Sequence, residues 1–478
     1  MSEGIGNEGI ILSNTPDHLS RYNALGSNGN YRDDFFSDQD FYLFRTKLGI
    51  GLVLVDGTRV HLIDEALASQ LECASTQGRR EDLRDIFVSL GFYLEPLVDD
   101  CLVGVPPPRA FSLAVAQKCN LGCTYCYASG GDFGSVAKKM AYEVAVRSVD
   151  RLMDGVCPGE RVNLAFLGGE PLVNRSVLIA ATEYAAEQAI RRGIKIGFSI
   201  TTNGTLITPD DGAFFERHKF AVTVSLDGVG SDHDLLRPFK SGRGSFDHIV
   251  ARLQPLLEMQ RGMQVSARVT VTPRNLNLRS TLDHLVSMGF HSVGFSPMVS
   301  SPTGRDQMAV SDFATLLDQM IACGTEFEHR ITNGQHYPFS NIVSALSEIH
   351  RGTHRPYSCG AGGAYFGVSA EGGISACHRF VESETGQMGH IDTGVDVAKQ
   401  SKWLADRHVH HQTPCNQCWA RYMCGGGCHH EVIHRGRVGC DYIRGWLHYA
   451  LETYVRLIAT HPEYFGPRGG LFNAAPVV

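Results

Sequence analysis

Cys119-Asn120-Leu121-Gly122-Cys123-Thr124-Tyr125-Cys126-Tyr127 sets three thiols in a C-x3-C-x2-C frame. Zinc and ordinary four-iron clusters usually take four protein ligands, so three in one loop leave a corner open. A four-iron cluster with one bare iron can hold a chelating cofactor there. The competing readings are a structural zinc loop or three unrelated thiols.

Composition narrows the classes of function. At 478 residues the chain can hold two or three domains and bury a sizeable core. Hydrophobic residues at 43% and charged residues at 19% describe an ordinary globular protein. A net charge of -7 argues against a nucleic-acid binder, which would have to neutralise phosphate. No stretch approaches the roughly twenty continuous apolar residues that span a membrane. Residues 1–9 show neither a basic nor an apolar segment, so no secretory signal is expected. Ten of the 14 cysteines lie in two groups with ligand-like spacings, which favours metal over disulfides.

Residues 1–31, rich in Gly, Ser and Asn, read as a flexible arm. Residues 32–105 read as a small winged-helix-like domain: 41–45 and 51–55 alternate or run apolar, Asp56-Gly57 signals a hairpin turn, and 59–62 returns. Helical periodicity follows over 64–71 and 80–90. Pro106-Pro107-Pro108 marks a linker. Strands are then expected at 111–116, 162–167, 196–202, 222–226, 265–271 and 292–297, alternating with helices such as 141–153, 176–190, 246–258 and 278–288. Six such units predict an α/β fold, a partial (β/α)6 TIM-like barrel over 106–340 with its chemistry at the C-terminal strand ends. The loop 119–126 directly follows the first strand. Residues 341–478 read as a Cys- and Gly-rich domain of short elements, ending in a helix over 442–457.

The cysteine frame, with an aromatic before its last cysteine, resembles the signature of the radical S-adenosylmethionine (radical SAM) enzymes. That resemblance implies that Cys119, Cys123 and Cys126 hold a [4Fe-4S] cluster, with S-adenosyl-L-methionine on the open iron and a 5′-deoxyadenosyl radical formed by its reductive cleavage. Gly168-Gly169-Glu170-Pro171 is on its own merely a turn, but its glycines would let the backbone approach a ligand. It resembles the family's GGEP motif, which implies that Glu170 meets the cofactor's amine. Thr202-Asn203-Gly204 and Ser225-Leu226-Asp227-Gly228 resemble the cofactor-facing ends of the third and fourth strands, directing Asn203 and Ser225 to ribose and carboxylate. Arg237 and Arg268 suit a carboxylate bidentately, and a salt bridge is the alternative for each.

Seven cysteines follow: Cys359, Cys377, Cys415, Cys418, Cys424, Cys428 and Cys440, the last five spaced C-x2-C-x5-C-x3-C-x11-C. The pattern resembles the SPASM extension of radical SAM peptide maturases. It implies two auxiliary clusters, one on Cys415, Cys418, Cys424 and Cys440 and one on Cys359, Cys377 and Cys428, so three [4Fe-4S] clusters in all. Sulfatase maturases place a further cysteine where Tyr365 stands, so the latter cluster is expected to have an open or non-cysteine corner. A pair of zinc ribbons is the structural alternative, with His408, His410, His411, His429 and His430 as further ligands or as a solvated loop. Cys73, Cys101, Cys157 and Cys323 read as buried small hydrophobes.

The front domain and the three cysteine sets most resemble the maturases of quinohemoprotein amine dehydrogenases. This implies a cytoplasmic enzyme that forms thioether cross-links between Cys sulfur and Asp or Glu methylene carbons in a small Cys-rich peptide, the γ subunit, whose leader segment docks on residues 32–105. A flavodoxin or ferredoxin is the expected electron donor, with no nucleic-acid or membrane partner. Asp227 and Asp234 are the candidate bases for the substrate thiol, expected to be dispensable for cluster assembly, with turn capping as their bland alternative. Sulfatase maturases carry an Asp where His378 stands, which weakens that assignment. The alternatives are another peptide cross-linking maturase or, outside the enzymes, an iron–sulfur electron carrier or peptide escort.

Overall fold

The computed structural model describes residues 10–13, 40–92 and 104–466. Cys101 and most of the expected arm lie outside the described residues. Among the described residues no helix is long and apolar enough to cross a membrane.

The front of the chain is a four-stranded antiparallel sheet. It contains β1 (Ile10–Ser13), β2 (Phe41–Thr46), β3 (Gly49–Leu54) and β4 (Arg59–Ile63), in the order β1-β4-β3-β2. Two helices follow, α1 (Glu65–Thr76) and α2 (Arg80–Ser89). Asp64 caps α1, its carboxylate accepting from Leu67 N–H at 2.8 Å. One face of the sheet, with Leu52, Leu54 and Ile63, packs on Leu71, Leu83 and Phe87 of the helices. The other face sends Phe44, Val53, Val60 and Leu62 into the main core of the protein. The two faces follow from the alternation of side chains along a strand. β1 falls inside the segment expected to be a loose arm, and it occupies the outer edge of β4.

The main sheet begins with β5 (Ala110–Gln117), against which the short β6 (Lys138–Lys139) pairs. Then follow α3 (Tyr142–Leu152), β7 (Arg161–Gly168), α4 (Arg175–Arg192), β8 (Lys195–Thr202), α5 (Pro209–Arg217), β9 (Ala221–Ser225), α6 (Ser231–Leu236), α7 (Phe246–Glu258), β10 (Gln264–Val271), α8 (Leu278–Ser287) and β11 (Ser292–Pro297). β5 and β7 to β11 are parallel neighbours in chain order. β10 shows why: Val265, Ala267, Val269 and Val271 are buried under helices, while Ser266, Arg268 and Thr270 alternate onto the other face. In register, Thr201, Thr223, Ser266 and Ser292 form one row of that face, and Ser225, Arg268 and Gly294 the next. The face is polar and built of small side chains, apart from Arg268.

α9 (Asp312–Thr332) and α10 (Ser340–Arg351) come next. α10 is stitched to β11, because Asn341 accepts from Phe295 N–H at 2.8 Å and donates to Phe295 C=O at 2.9 Å. The helix therefore continues the barrel unit, past the boundary expected at 340. β12 (Tyr365–Val368) joins β5 in parallel, and β13 (Gly373–Ser375), β14 (Gln387–His390) and β15 (Gly394–Val395) extend the edge antiparallel, making the sheet mixed. α11 (Val397–Arg407), α12 (His429–Arg435) and α13 (Cys440–Thr460) complete the chain. α13 lies along α9, where Arg456 makes a bidentate pair with Glu328 at 2.8 and 2.9 Å.

Candidate active site

Loop 119–126 leaves the C-terminal end of β5. A Cβ at Gly168 would stand 2.3 Å from Ala116 O, and one at Gly169 would stand 2.6 Å from the Lys118 backbone. These glycines thus let β7 close on the root of the cysteine loop itself, where a ligand approach was expected. Glu170 is also braced by groups of the chain itself. Its fully buried carboxylate accepts from Leu172 N–H (3.0 Å), Thr202 Oγ1 (2.8 Å) and Asn203 N–H (2.7 Å), tying the ends of β7 and β8 together. Asn203 in turn donates to Asn120 Oδ1 at 2.9 Å, with Cys119 Sγ 3.7 Å from the same nitrogen.

The far side of the loop is held by three buried groups. Tyr125 donates to Asp227, and Arg237 donates to the Tyr125 hydroxyl at 2.6 Å and lies 3.5 Å from Asp227 Oδ2. Asp227 Oδ1 accepts from Thr270 N–H at 2.7 Å, so both its oxygens are engaged. Burial raises the Asp227 pKa, opposed first by Arg237 and then by Tyr125 and the Thr270 amide. Arg237 Nε is buried with no partner among the described residues, a donor that could serve another group. Asp234 is occupied elsewhere. Its Oδ1 accepts from Ser245 and Phe246 N–H at 2.7 and 2.8 Å, which satisfies the start of α7. Ser225 and Arg268 stand side by side on the polar face. Arg268 is accessible, yet its surroundings desolvate it and lower its pKa, opposed by Glu431 and Tyr442.

Burial pushes the Cys123 thiol up to about 12, with Arg237 pulling it down and Cys126 and Cys119 as charged neighbours. Three partly buried thiols near enough to act on one another fit a cationic group, which would stabilise them as thiolates. The other cysteines fall into two similar groups. Cys377 is pushed up to about 12 by burial, with Cys428 and Cys359 among its neighbours. Cys424 is pushed up to about 11 by burial, beside Cys415, Cys418 and Cys440. Those last four cysteines line one cavity of about 230 Å³, which Cys428 of the other group also borders, with Arg437 and Arg444 in its wall. The donor chemistry and the cavity suit a polynuclear cluster. Among the described residues, no three His, Cys, Asp or Glu converge as a single metal ion would require.

Of the cysteines outside these groups, Cys323 is buried as expected, but Cys73 and Cys157 are exposed. Cys73 falls on the outer face of α1 and Cys157 in a turn, positions that hydrophobicity alone does not reveal. The motifs gave no hint of Arg379. It lies 5.7 Å from the centre of the Tyr127 ring and donates to Glu431 at 2.9 Å.

Residues 113–303 match the Radical SAM superfamily. The chain is 25% identical over 334 residues to the serine-type anaerobic sulfatase-maturating enzyme of Klebsiella aerogenes, covering 66% of this chain and 78% of that protein. It is 21% identical over 354 residues to the radical SAM cyclopropyl synthase TigE of Paramaledivibacter caminithermalis, covering 70% and 72%. Its fold resembles that of native anSMEcpe with bound AdoMet, with a TM-score of 0.60 at 18% identity, over 74% of this chain and 100% of that one. Such a domain implies a [4Fe-4S] cluster and S-adenosylmethionine. The chain carries a radical SAM domain homologous to those of the anaerobic sulfatase-maturating enzymes.

Proposed function

We propose that the chain is a peptide maturase that links cysteine sulfurs to side-chain methylene carbons of Asp or Glu in the small γ subunit of a quinohemoprotein amine dehydrogenase. The observation that carries this reading is the grouping of ten cysteines into three sets of mutual neighbours, the first of them in the loop that leaves β5. Cys119, Cys123 and Cys126 are the proposed ligands of one [4Fe-4S] cluster, and the other two sets those of two auxiliary clusters. Bound at the first loop, cluster and S-adenosylmethionine would supply a hydrogen-abstracting radical.

The chain's own residues position the reactants. Tyr125, Asp227 and Arg237 anchor the loop, and Glu170 and Asn203 brace the strand ends beside it. Arg237 Nε, Arg268 and Ser225 are the proposed contacts to the cofactor. The small polar side chains of the open face leave room for a peptide. Each link forms one C–S bond and breaks one C–H and one S–H bond, so that a hydrogen atom would go to the radical, a proton to a base and an electron to an auxiliary cluster. Asp227 and Asp234 are the proposed acceptors of the thiol proton, and each would have to release a present donor to accept it, Tyr125 or Arg237 for Asp227 and a helix-start amide for Asp234. A flavodoxin or ferredoxin is the proposed electron partner. A reducing cytoplasm would keep the ligand thiols free.

Residues 32–105 are proposed as the winged-helix-like leader-recognition domain, taking a peptide strand at a sheet edge. The outer edge of β4 is the proposed position, because β2 is covered: Tyr42 stacks on Trp419 at 4.0 Å and Asp40 pairs with Arg421 at 2.6 Å. Residues 341–478 are the proposed SPASM region with its C-terminal helix.

Anaerobic reconstitution should give about twelve irons per chain, as three cubane clusters require. Incubation with the γ subunit should lower its mass by about 2 Da per link, with tandem fragmentation placing each link between Cys and Asp or Glu. A second reading, maturation of a sulfatase as named for the Klebsiella aerogenes relative, is favoured by the sequence match over two thirds of the chain. Oxidation of a lone serine or cysteine with no new link would select it.

A further inference from the structure

The turn His378–Phe380 directly follows Cys377 and touches two of the cysteine groups at once. On one side, the His378 ring meets the Tyr127 ring edge-on at 5.8 Å, and the Arg379 guanidinium lies over the same ring. Tyr127 is the residue after Cys126. On the other side, Arg379 Nη1 points at Cys428 Sγ, 3.8 Å away, and donates to Glu431 Oε1 at 2.9 Å. Nη2 reaches Ser300 O at 3.4 Å. The side chain is only 15% exposed. One guanidinium therefore joins the 119–127 loop, the sulfur of Cys428 and the first turn of α12.

A desolvated cation that donates to a cluster sulfur stabilises the reduced, more negative state and raises the reduction potential. Glu431, paired with the same Nη1 at 2.9 Å, carries the opposite charge and offsets the guanidinium beside that sulfur. We propose that Arg379 is a positioning residue that raises the potential of the cluster held by Cys359, Cys377 and Cys428, and that Glu431 sets how far. The proposal rests on the auxiliary-cluster reading above and adds to it the residues that tune that site.

Iron analysis and EPR-monitored potentiometry of reconstituted full-length protein test it. A Cys428→Ala variant identifies the signal of this cluster in the parent protein. If that variant loses neither iron nor a signal, the auxiliary-cluster reading fails, and the failure is separate from that of the tuning. With the signal identified, Arg379→Gln should keep its iron and shift the Cys428-dependent midpoint to more negative potential, leaving the signal that depends on Cys119, Cys123 and Cys126 in place. Arg379→Lys, which keeps the charge but loses the planar fork, should shift less. Glu431→Gln should shift the midpoint the other way. An unshifted midpoint in an iron-replete Arg379→Gln protein overturns the proposal. Where only Arg379→Lys assembles the cluster, an unshifted midpoint in that protein does the same. Loss of this cluster's iron in both variants also overturns it, because the arginine would then be a structural brace.

Discussion

Tyr125, in the middle of the cysteine loop, donates its hydroxyl hydrogen to Asp227, at the end of β9 and 102 positions along the chain. The contact is sealed, with Asp227 0% and Tyr125 4% exposed, and Arg237 closes it on a third side. Removing one partner of a buried charged pair leaves the other unpaired, at a cost of about 3–5 kcal/mol. Asp227→Ala should therefore destabilise the protein by about that amount in denaturant melts and lower the iron held by the adjacent loop. This reverses the expectation from sequence that the aspartate is dispensable for assembly. Tyr125→Phe, which removes a hydroxyl but no charge, should cost less. Full iron and parental stability in Asp227→Ala would show that the network does not hold the loop.

Asp234 should behave differently. It serves two backbone N–H groups at the start of α7, and loss of such a cap costs about 1 kcal/mol. Asp234→Ala should lower the unfolding midpoint slightly and leave cofactor cleavage and cross-linking rates near the parental values. A collapse of cross-linking with intact cleavage would instead restore Asp234 as the base.

The parallel strands were legible because burial imposes a period of two. Val265, Ala267, Val269 and Val271 alternate with Ser266, Arg268 and Thr270, and the expected bounds of β11 and α7 coincide with the observed ones. The cysteine groups were legible from spacing. β12 to β15 were not, because strands of two to four residues rich in glycine show no alternation, and their place is set by pairing with distant β5. Side-chain networks were hidden for the same reason. Nothing local ties Arg379 to Cys428, 49 positions away. Nor does anything in Gly-Gly-Glu-Pro reveal that the glutamate faces inward.

His61 makes the front domain sensitive to acid. It is 1% exposed on β4, both ring nitrogens lack partners among the described residues, and the ring lies 4.6 Å from that of Phe92. Burial lowers its pKa from 6.5 to about 3, with Arg59 adding to the effect. The folded state thus binds fewer protons than the unfolded state. Its contribution to stability is intact above the unfolded pKa of 6.5 and declines by about 1.4 kcal/mol per pH unit below it, until the folded pKa near 3 is reached. Protection factors of the amides over residues 41–92, corrected for the intrinsic pH dependence of exchange, should fall between pH 6 and pH 4 in a way that His61→Leu suppresses. Equal acid sensitivity in both proteins would place the titrating group elsewhere.

The edge of β4 is already taken in this structure. Ile10 pairs with Ile63, Leu12 with Leu62 and Ser13 with His61, antiparallel and with an irregularity after Ile10. A substrate leader adding to the same edge must displace these four residues. An edge held by its own chain nine-tenths of the time weakens apparent affinity about tenfold, because only the free fraction can bind. Deleting residues 1–31 should therefore tighten leader binding by up to about that factor, measured by fluorescence anisotropy of a labelled leader. It should also speed exchange of the amides at 61–63 in the absence of peptide. Deleting the whole front domain is the poorer test, since Phe44, Val53, Val60 and Leu62 belong to the main core and their loss would expose it. Faster exchange with unchanged affinity would mean that β1 covers the edge but the leader binds elsewhere. Unchanged exchange would mean that β1 does not protect the edge in solution.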